Sequence, residues 1–400
     1  MTADAAARAA DQAARQSYGR LIAYLSARSR NIAAAEDALA EAFRAALEHW
    51  PVTGVPNAPE AWLLTTARRA LGKSARRAKV AQAAEPDLVN QIEEAITTME
   101  SGNDNFADER LKLLFVCAHP AIDPAAQTPL MLQAVLGLDA ARIAAVFLEQ
   151  PATMGQRLVR AKAKIRDAAV RFAVPDVDEL PDRLDAVPQA IYAAFTAGWE
   201  DGGPLSSEAI WLGRVLLALM PDEPEAMGLL SLMLASEARK PARRHDGAYV
   251  PLDRQDMSLW DTAMLAEAEG LLRQAGSRNR FGRFQCEAAI QAVHTARRFT
   301  GETDLPALRM LYAALVKLSP SAGALVGQAA VSEPQEGLRL LAAIPEKTAS
   351  GYQPFHAVRA DLLQRLGRNA EAASAYARAI ELSSDPHVRQ FLWSRMAHQP

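Results

Sequence analysis

Residues 137–167 read GLDAARIAAVFLEQPATMGQRLVRAKAKIRD, and their spacing decides the class of the chain. Asp139 is placed to cap a helix whose apolar positions Ala140, Ile143, Ala144 and Phe147 recur at helical intervals. Leu148, Glu149 and Gln150 interrupt that run, and Pro151 suits the first position of a second helix, where a missing N–H costs nothing. The second helix gathers Leu158, Ala161 and Ile165 on one face and Arg157, Arg160, Lys162, Lys164 and Arg166 on the rest. Thr153, Gln156, Arg157 and Arg160 follow its start at the spacing that sends side chains into a major groove. The bland alternative is an amphipathic helix with a solvated basic face.

The composition around this stretch favours helix almost everywhere, being rich in Ala, Leu, Arg and Glu. Alternating Val, Ile and Thr of the kind that builds strands is nearly absent, so an all-α fold is expected. The chain has 400 residues, enough for two or three domains with cores of their own. With 44 basic against 47 acidic residues, the net charge is only −3. Nucleic-acid binding therefore has to come from local basic patches. Cys117 and Cys286 lie far apart in apolar helical contexts and read as buried thiols of a reducing compartment. The first residues are interrupted by Asp4, Arg8, Asp11 and Arg15, unlike a secretory leader, and no run approaches the roughly 20 apolar residues of a membrane span. A soluble cytoplasmic protein is expected, with no membrane contact.

Four segments follow from the pattern. Residues 1–82 are helical and end in a basic cluster; 83–107 form an acidic connector; 108–174 are helical and end in the basic helix above; 182–400 are an Ala/Leu-rich helical extension. The extension carries weak internal repetition. Tyr312–Ser319 resembles Tyr376–Ser383, about twice a tetratricopeptide period of roughly 34 residues further on. Between Ala357 and Leu382, Leu366-Gly367-Arg368 makes the turn of a helical hairpin, and Ala372, Ala375, Tyr376 and Ala379 supply its packing. Residues from Gln335 to Ile344 form a degenerate unit between the two. Such arrays bury a core by stacking and commonly bind a protein partner on the concave face; a purely structural scaffold fits as well.

In the first segment, Asp37 and Glu41 stand four apart on one helical face next to Phe43. Like charges at that spacing slightly weaken an isolated helix, which suits either a solvated face or a basic partner. Downstream, Trp62 precedes Arg68, Arg69, Lys73, Arg76 and Arg77, opposed over that stretch only by Glu60. A cationic helix with an aromatic can hold phosphates and a single or distorted DNA strand, although a Trp on an Ala/Leu helix more often belongs to a core.

Taken together, A-E-D-x-x-x-E-x-F at 35–43, W-L-x-T-x-A-R at 62–68, the acidic connector and the C-terminal helix-turn-helix resemble bacterial sigma-70 factors of the extracytoplasmic-function type. Residues 110–120 and 152–162 narrow the resemblance to the subgroup with a long tetratricopeptide-like extension, and Asp201-Gly202-Gly203-Pro204 resembles the start of that extension. The resemblance implies two small helical sigma domains, regions 2 and 4, followed by a regulatory helical-repeat domain. It implies that Asp37, Glu41 and Phe43 dock on core RNA polymerase. Trp62, Arg68, Arg69, Lys73, Arg76 and Arg77 would then take the −10 element of promoter DNA. Thr153, Gln156, Arg157, Arg160, Lys162 and Lys164 would take the −35 element. Residues 67–73 read ARRALGK, one residue short of the family's usual segment, and Gly72 costs a helix roughly 1 kcal/mol against Ala.

Cys117 and His119 lack the further ligands a metal site needs. No nucleophile–base pair or phosphate loop is present in the sequence, so neither an enzyme nor a cofactor or small-molecule substrate is expected. The function expected is that of an alternative sigma factor whose extension controls its activity, holding the two DNA-binding domains closed in the free chain. A different class remains open: a helical-repeat interaction protein whose sigma-like half binds polymerase, or a regulator, without opening promoters.

Overall fold

The computed structural model describes residues 3–81, 104–147, 149–173, 175, 183, 186–201 and 205–397. They are almost wholly helical, as the composition requires. The chain divides into two compact units, Met1–Val215 and Leu216–Pro400.

The first unit begins with α1 (Ala3–Ser29), α2 (Ile32–Thr53) and α3 (Pro59–Ala81), packed against one another. The turn between α1 and α2 is tight: Arg30 takes a left-handed φ of 51°, and the Asn31 side chain accepts from the Ala34 N–H at 3.1 Å, capping α2. Ile32, Ala35, Leu39, Ala42, Ala46 and Trp50 then fall on one buried stripe of α2. Pro51 closes its last turn, and Gly54 leaves the helix at φ 89°, a value that favours glycine. Leu21, Ile22 and Leu25 of α1 and Leu63, Leu64 and Ala67 of α3 complete this core. Gly72 does not interrupt α3, which runs unbroken through it.

Next come α4 (Asp104–Cys117), α5 (Pro124–Ala134), α6 (Ala140–Val146) and α7 (Pro151–Asp167), then α8 (Ala186–Asp201) and α9 (Leu205–Leu219), within which the first unit ends. Asp123 caps α5 through the Ala125 N–H at 2.9 Å, with Pro124 at the first position. Residues from Ala126 to Leu132 of α5 are all buried, so this helix has no solvent face. It is the packing centre for α4, α7 and α8. Asp139 caps α6 at the Arg142 N–H, 2.8 Å, and Pro151 opens α7.

The second unit is built on α10 (Pro224–Glu237), buried along nearly its whole length between α11 (Thr262–Gly276) and α12 (Arg283–Thr300). The all-α expectation has one small exception here. Arg244–His245 (β1) and Ala248–Tyr249 (β2) pair antiparallel across Asp246 and Gly247, whose φ values of 49° and 79° are those of a two-residue hairpin turn. The chain continues as α13 (Leu305–Leu318), α14 (Ala322–Val331), α15 (Pro334–Ala342), the short α16 (Glu346–Ala349), α17 (Gln353–Arg365), α18 (Asn369–Leu382) and α19 (Pro386–Ala397). The hairpin expected over 357–382 is α17 and α18. Gly367 turns between them at φ 71°, and Ala360, Leu363, Ala372, Ala375, Tyr376 and Ala379 form one core with Leu392.

Candidate nucleic-acid and partner interface

The stripe that buries α2 leaves Asp37, Glu41, Arg44 and Glu48 on its outer face. Asp37 and Glu41 are exposed, and Phe43 is half-buried at the edge. Arg44 pairs with both Glu41 and Glu48 at 2.5 Å, and its hydrogen bond, with help from Lys73, holds the Glu41 carboxyl below the usual range. Exposed pairs of this kind contribute little to stability. Leu47 and Val52 are exposed on the same helix, so the outer surface of α2 is acidic with apolar edges.

On α3 the expected residues divide. Trp62 is half-buried, its ring edge-on to Trp50 at 5.5 Å and tilted against His49 at 6.4 Å, so it serves the core at least in part. Arg68 hydrogen-bonds the Tyr24 hydroxyl of α1 and lies 4.8 Å from that ring's centroid, with Arg28 at 3.5 Å from the same centroid. Burial lowers the Arg68 pKa. Arg69 and Lys73 are exposed. The side chains of Arg76 and Arg77 lie outside the described residues, as do the connector up to residue 103 and Gly202–Pro204.

Helix α7 buries Met154, Leu158, Ala161 and Ile165, which turns Thr153, Gln156, Val159, Arg160 and Lys164 to solvent. Arg157 does not join that exposed row. Its guanidinium donates to Glu149 at 2.9 Å and to the Ala125 carbonyl at 3.3 Å, tying α7 to the turn before it and to α5. Lys162 also turns away: its ammonium donates to Glu36 of α2 at 2.6 Å and to Gln133 of α5 at 3.0 Å. The six expected −35 residues therefore split into four exposed ones and two engaged within the molecule. Sequence spacing passed over Val159, 64% exposed in the middle of the row; its only signal was an apolar residue on the polar face.

The described part of the extension reaches back to this region. Arg183 donates to the Phe115 carbonyl at 3.4 Å. Buried Arg110 of α4 meets Glu208 of α9 at 3.5 Å and lies 5.3 Å from the Trp211 ring centroid. Both cysteines are buried free thiols, and burial raises both pKa values, that of Cys286 to about 11. Among the described residues no three His, Cys, Asp or Glu side chains converge as a metal site would need, and no helix is long and apolar enough to cross a membrane.

Comparison with known proteins gives two family matches. Residues 14–80, from within α1 to the last turn of α3, match sigma-70 region 2. Residues 183–276 match a family of unknown function, DUF6596. The chain is 36% identical over 397 residues to an uncharacterized protein of Rhizobium meliloti (strain 1021), covering 96% of this chain and 93% of that one. No solved structure matches. No enzyme family is indicated, and sigma-70 factors are initiation factors without catalytic activity of their own. The chain belongs to one family with the Rhizobium protein, and its residues 14–80 carry a sigma-70 region 2 domain.

Proposed function

We propose that the chain is an alternative sigma factor of the extracytoplasmic-function type. It binds core RNA polymerase through the outer face of α2 and directs initiation at promoters read by α3 and α7. The observation that carries this reading is the region 2 match over 14–80, coincident with a helix whose outer face is acidic. Its Glu41–Arg44–Glu48 pairs add little to the helix, and the carboxylates left over, Asp37 among them, fit a basic partner surface. Residues 108–174 act as the −35 reader, with Arg160 and Gln156 as base-reading groups and Lys164 on phosphate. Arg69 and Lys73 take the strand at the −10 element, while Trp62 and Arg68 hold α3 in place. The segment from 182 onward is a tetratricopeptide-like regulatory domain with a protein partner of its own. Support for control comes from the seating of Arg183 and Glu208 on α4. The protein works in the cytoplasm, where core polymerase is.

The test is co-elution with core polymerase. Asp37→Lys combined with Glu41→Lys should remove the chain from the polymerase peak while its helical circular dichroism stays unchanged. Retained co-elution of the double variant would move the docking face elsewhere.

A further inference from the structure

In the second unit, three guanidiniums gather beside the end of α10. Arg239 and Arg243 follow that helix directly, and Arg297 approaches from α12. Arg239 and Arg297 are only 5% and 8% exposed, and Arg243 is half-buried. The acceptors of the two deepest are neutral. Arg239 donates from Nε to the Ala235 carbonyl at 3.1 Å and from Nη2 to the Gln291 amide oxygen. Arg297 donates from both Nη atoms to the carbonyls of Leu252, Asp253 and Gln255, while its buried Nε has no partner. Arg243 donates to the Ser236 carbonyl at 2.6 Å.

Carboxylates near the cluster are engaged elsewhere. Glu237 pairs with Lys240 at 2.6 Å, and Asp385 pairs with Arg244 at 2.9 Å. Asp253 is exposed, and its charge acts on Tyr249. Carbonyl dipoles satisfy N–H groups but do not cancel a net charge, and guanidiniums this deep are ordinarily paired. The neighbouring His294 registers the surplus: burial, then Arg239 and Arg297, push its pKa down to about 4. Tyr249 of β2 stands within the field of Arg243 and Arg239, and burial keeps its hydroxyl protonated, as a donor. Its ring lies edge-on to Phe391 of α19 at 5.4 Å, which fixes the hairpin beside the cluster. Tyr249 is 37% exposed, so this side is reached from solvent.

We propose that Arg239, Arg243, Arg297 and the Tyr249 hydroxyl form a binding site for a dianionic phosphate, either free or as the monoester of a small molecule. Arg243 and Tyr249, on the solvent side, contact the phosphate oxygens, for which a guanidinium fork is the matching donor. Arg239 and Arg297, fixed by their carbonyls, supply positive potential from behind. Three guanidiniums against the one exposed carboxylate of Asp253 suit two negative charges better than one. A nucleic-acid backbone offers a single charge per phosphate, so a terminal monoester fits the cluster and a diester does not. The site lies wholly within the second unit and stands whether or not the first unit is a sigma factor.

The experiment titrates the full chain with orthophosphate at slightly alkaline pH and fixed ionic strength, with calorimetry for affinity and amide hydrogen exchange for location. Saturable binding of one phosphate per chain is expected, with exchange slowed in residues 236–260 and 291–298. Arg243→Gln should weaken binding by about ten-fold or more, the worth of one charge-assisted hydrogen bond, with unchanged helical circular dichroism. Arg365→Gln, exposed on α17, should leave the affinity as it is. The exchange measurement needs no variant, so it judges the site even if Arg243→Gln unfolds. A ribonucleoside monophosphate that binds more tightly than orthophosphate identifies the ligand as a monoester; equal affinity identifies free phosphate. No saturation by about 10 mM, protection outside those two segments, or displacement of the phosphate by duplex DNA or by succinate overturns the proposal.

Discussion

Helices α7 and α12 are both basic and amphipathic, and they use their arginines in opposite ways. On α7, Arg160 and Lys164 are turned to solvent by the burial of Leu158, Ala161 and Ile165. On α12, Arg297 is turned inward. Its guanidinium donates to the carbonyls of Asp253 at 2.6 Å, Leu252 at 3.0 Å and Gln255 at 3.4 Å, and lies 5.7 Å from the Trp260 ring centroid. Arg239 of the same unit is likewise buried, with its pKa lowered to about 10 by burial and by Arg297. Next to it on α12, Arg298 pairs with Glu269 at 2.8 Å. A basic helix is therefore no sign of a nucleic-acid surface until the partner of each cation is known. Arg297 acts as a clamp on the backbone of residues 252–255, which gives that irregular segment its hydrogen bonds.

The largest effect separating the two helices should be on stability. Arg297→Ala leaves three carbonyls without their donor and should cost about 3 kcal/mol or more, read as a lower urea midpoint for the second unit. Arg297→Lys should not restore it, because one ammonium cannot span the three oxygens. A change below about 0.5 kcal/mol, the size of an ordinary surface substitution, would erase the contrast.

Arg160→Ala should do the reverse. Stability stays within about 0.5 kcal/mol, while binding to the cognate −35 sequence weakens by about 1–3 kcal/mol, the value of one arginine–guanine pair. Equal losses on cognate and random duplex would reduce Arg160 to a phosphate contact. The same assay on Arg157→Ala should give a stability loss as well, because Arg157 is tied to Glu149 and Ala125.

Next in size is a pH effect confined to α12. Burial, with Arg239 and Arg297 beside it, pushes the His294 pKa down from 6.5 to about 4. Between those values the unfolded chain takes up a proton that the folded chain refuses. Stability present above pH 6.5 is therefore lost progressively as the pH falls toward about 4. The loss amounts to roughly 2 kcal/mol after allowance for partial exposure. His294→Gln should flatten the acid limb of the stability profile by that amount, and a limb of unchanged slope would show that the imidazole is solvated.

The smallest expected effect lies in α3. A Cβ on Gly72 would meet nothing within 4 Å, so Gly72→Ala should stabilise the helix by about 1 kcal/mol. A loss instead would mean that α3 needs flexibility at that point.

Local signals made much of this fold legible. Asp139, Pro151 and Gly367 mark helix ends in the sequence, and each ends or starts a helix where expected. The Asp246-Gly247 hairpin was equally readable from its dipeptide but was masked by the helical composition around it. What sequence could not supply was long-range pairing. Lys162 finds Glu36 across 126 positions and Arg297 finds Asp253 across 44, and nothing local distinguishes either residue from an exposed cation. The sequence placed the candidate residues on helices, as α2, α3 and α7 are, while the division of their cations into exposed and engaged ones required the packed structure.

Runoff transcription tests the central claim most directly. Core polymerase, freed of other sigma factors, is given a template selected by the chain from random duplex. A transcript of one defined length, dependent on the chain and abolished by Asp37→Lys with Glu41→Lys, is the predicted result. A chain that co-elutes with core polymerase yet yields no transcript above core alone would contradict it, and would make the protein a polymerase-binding regulator.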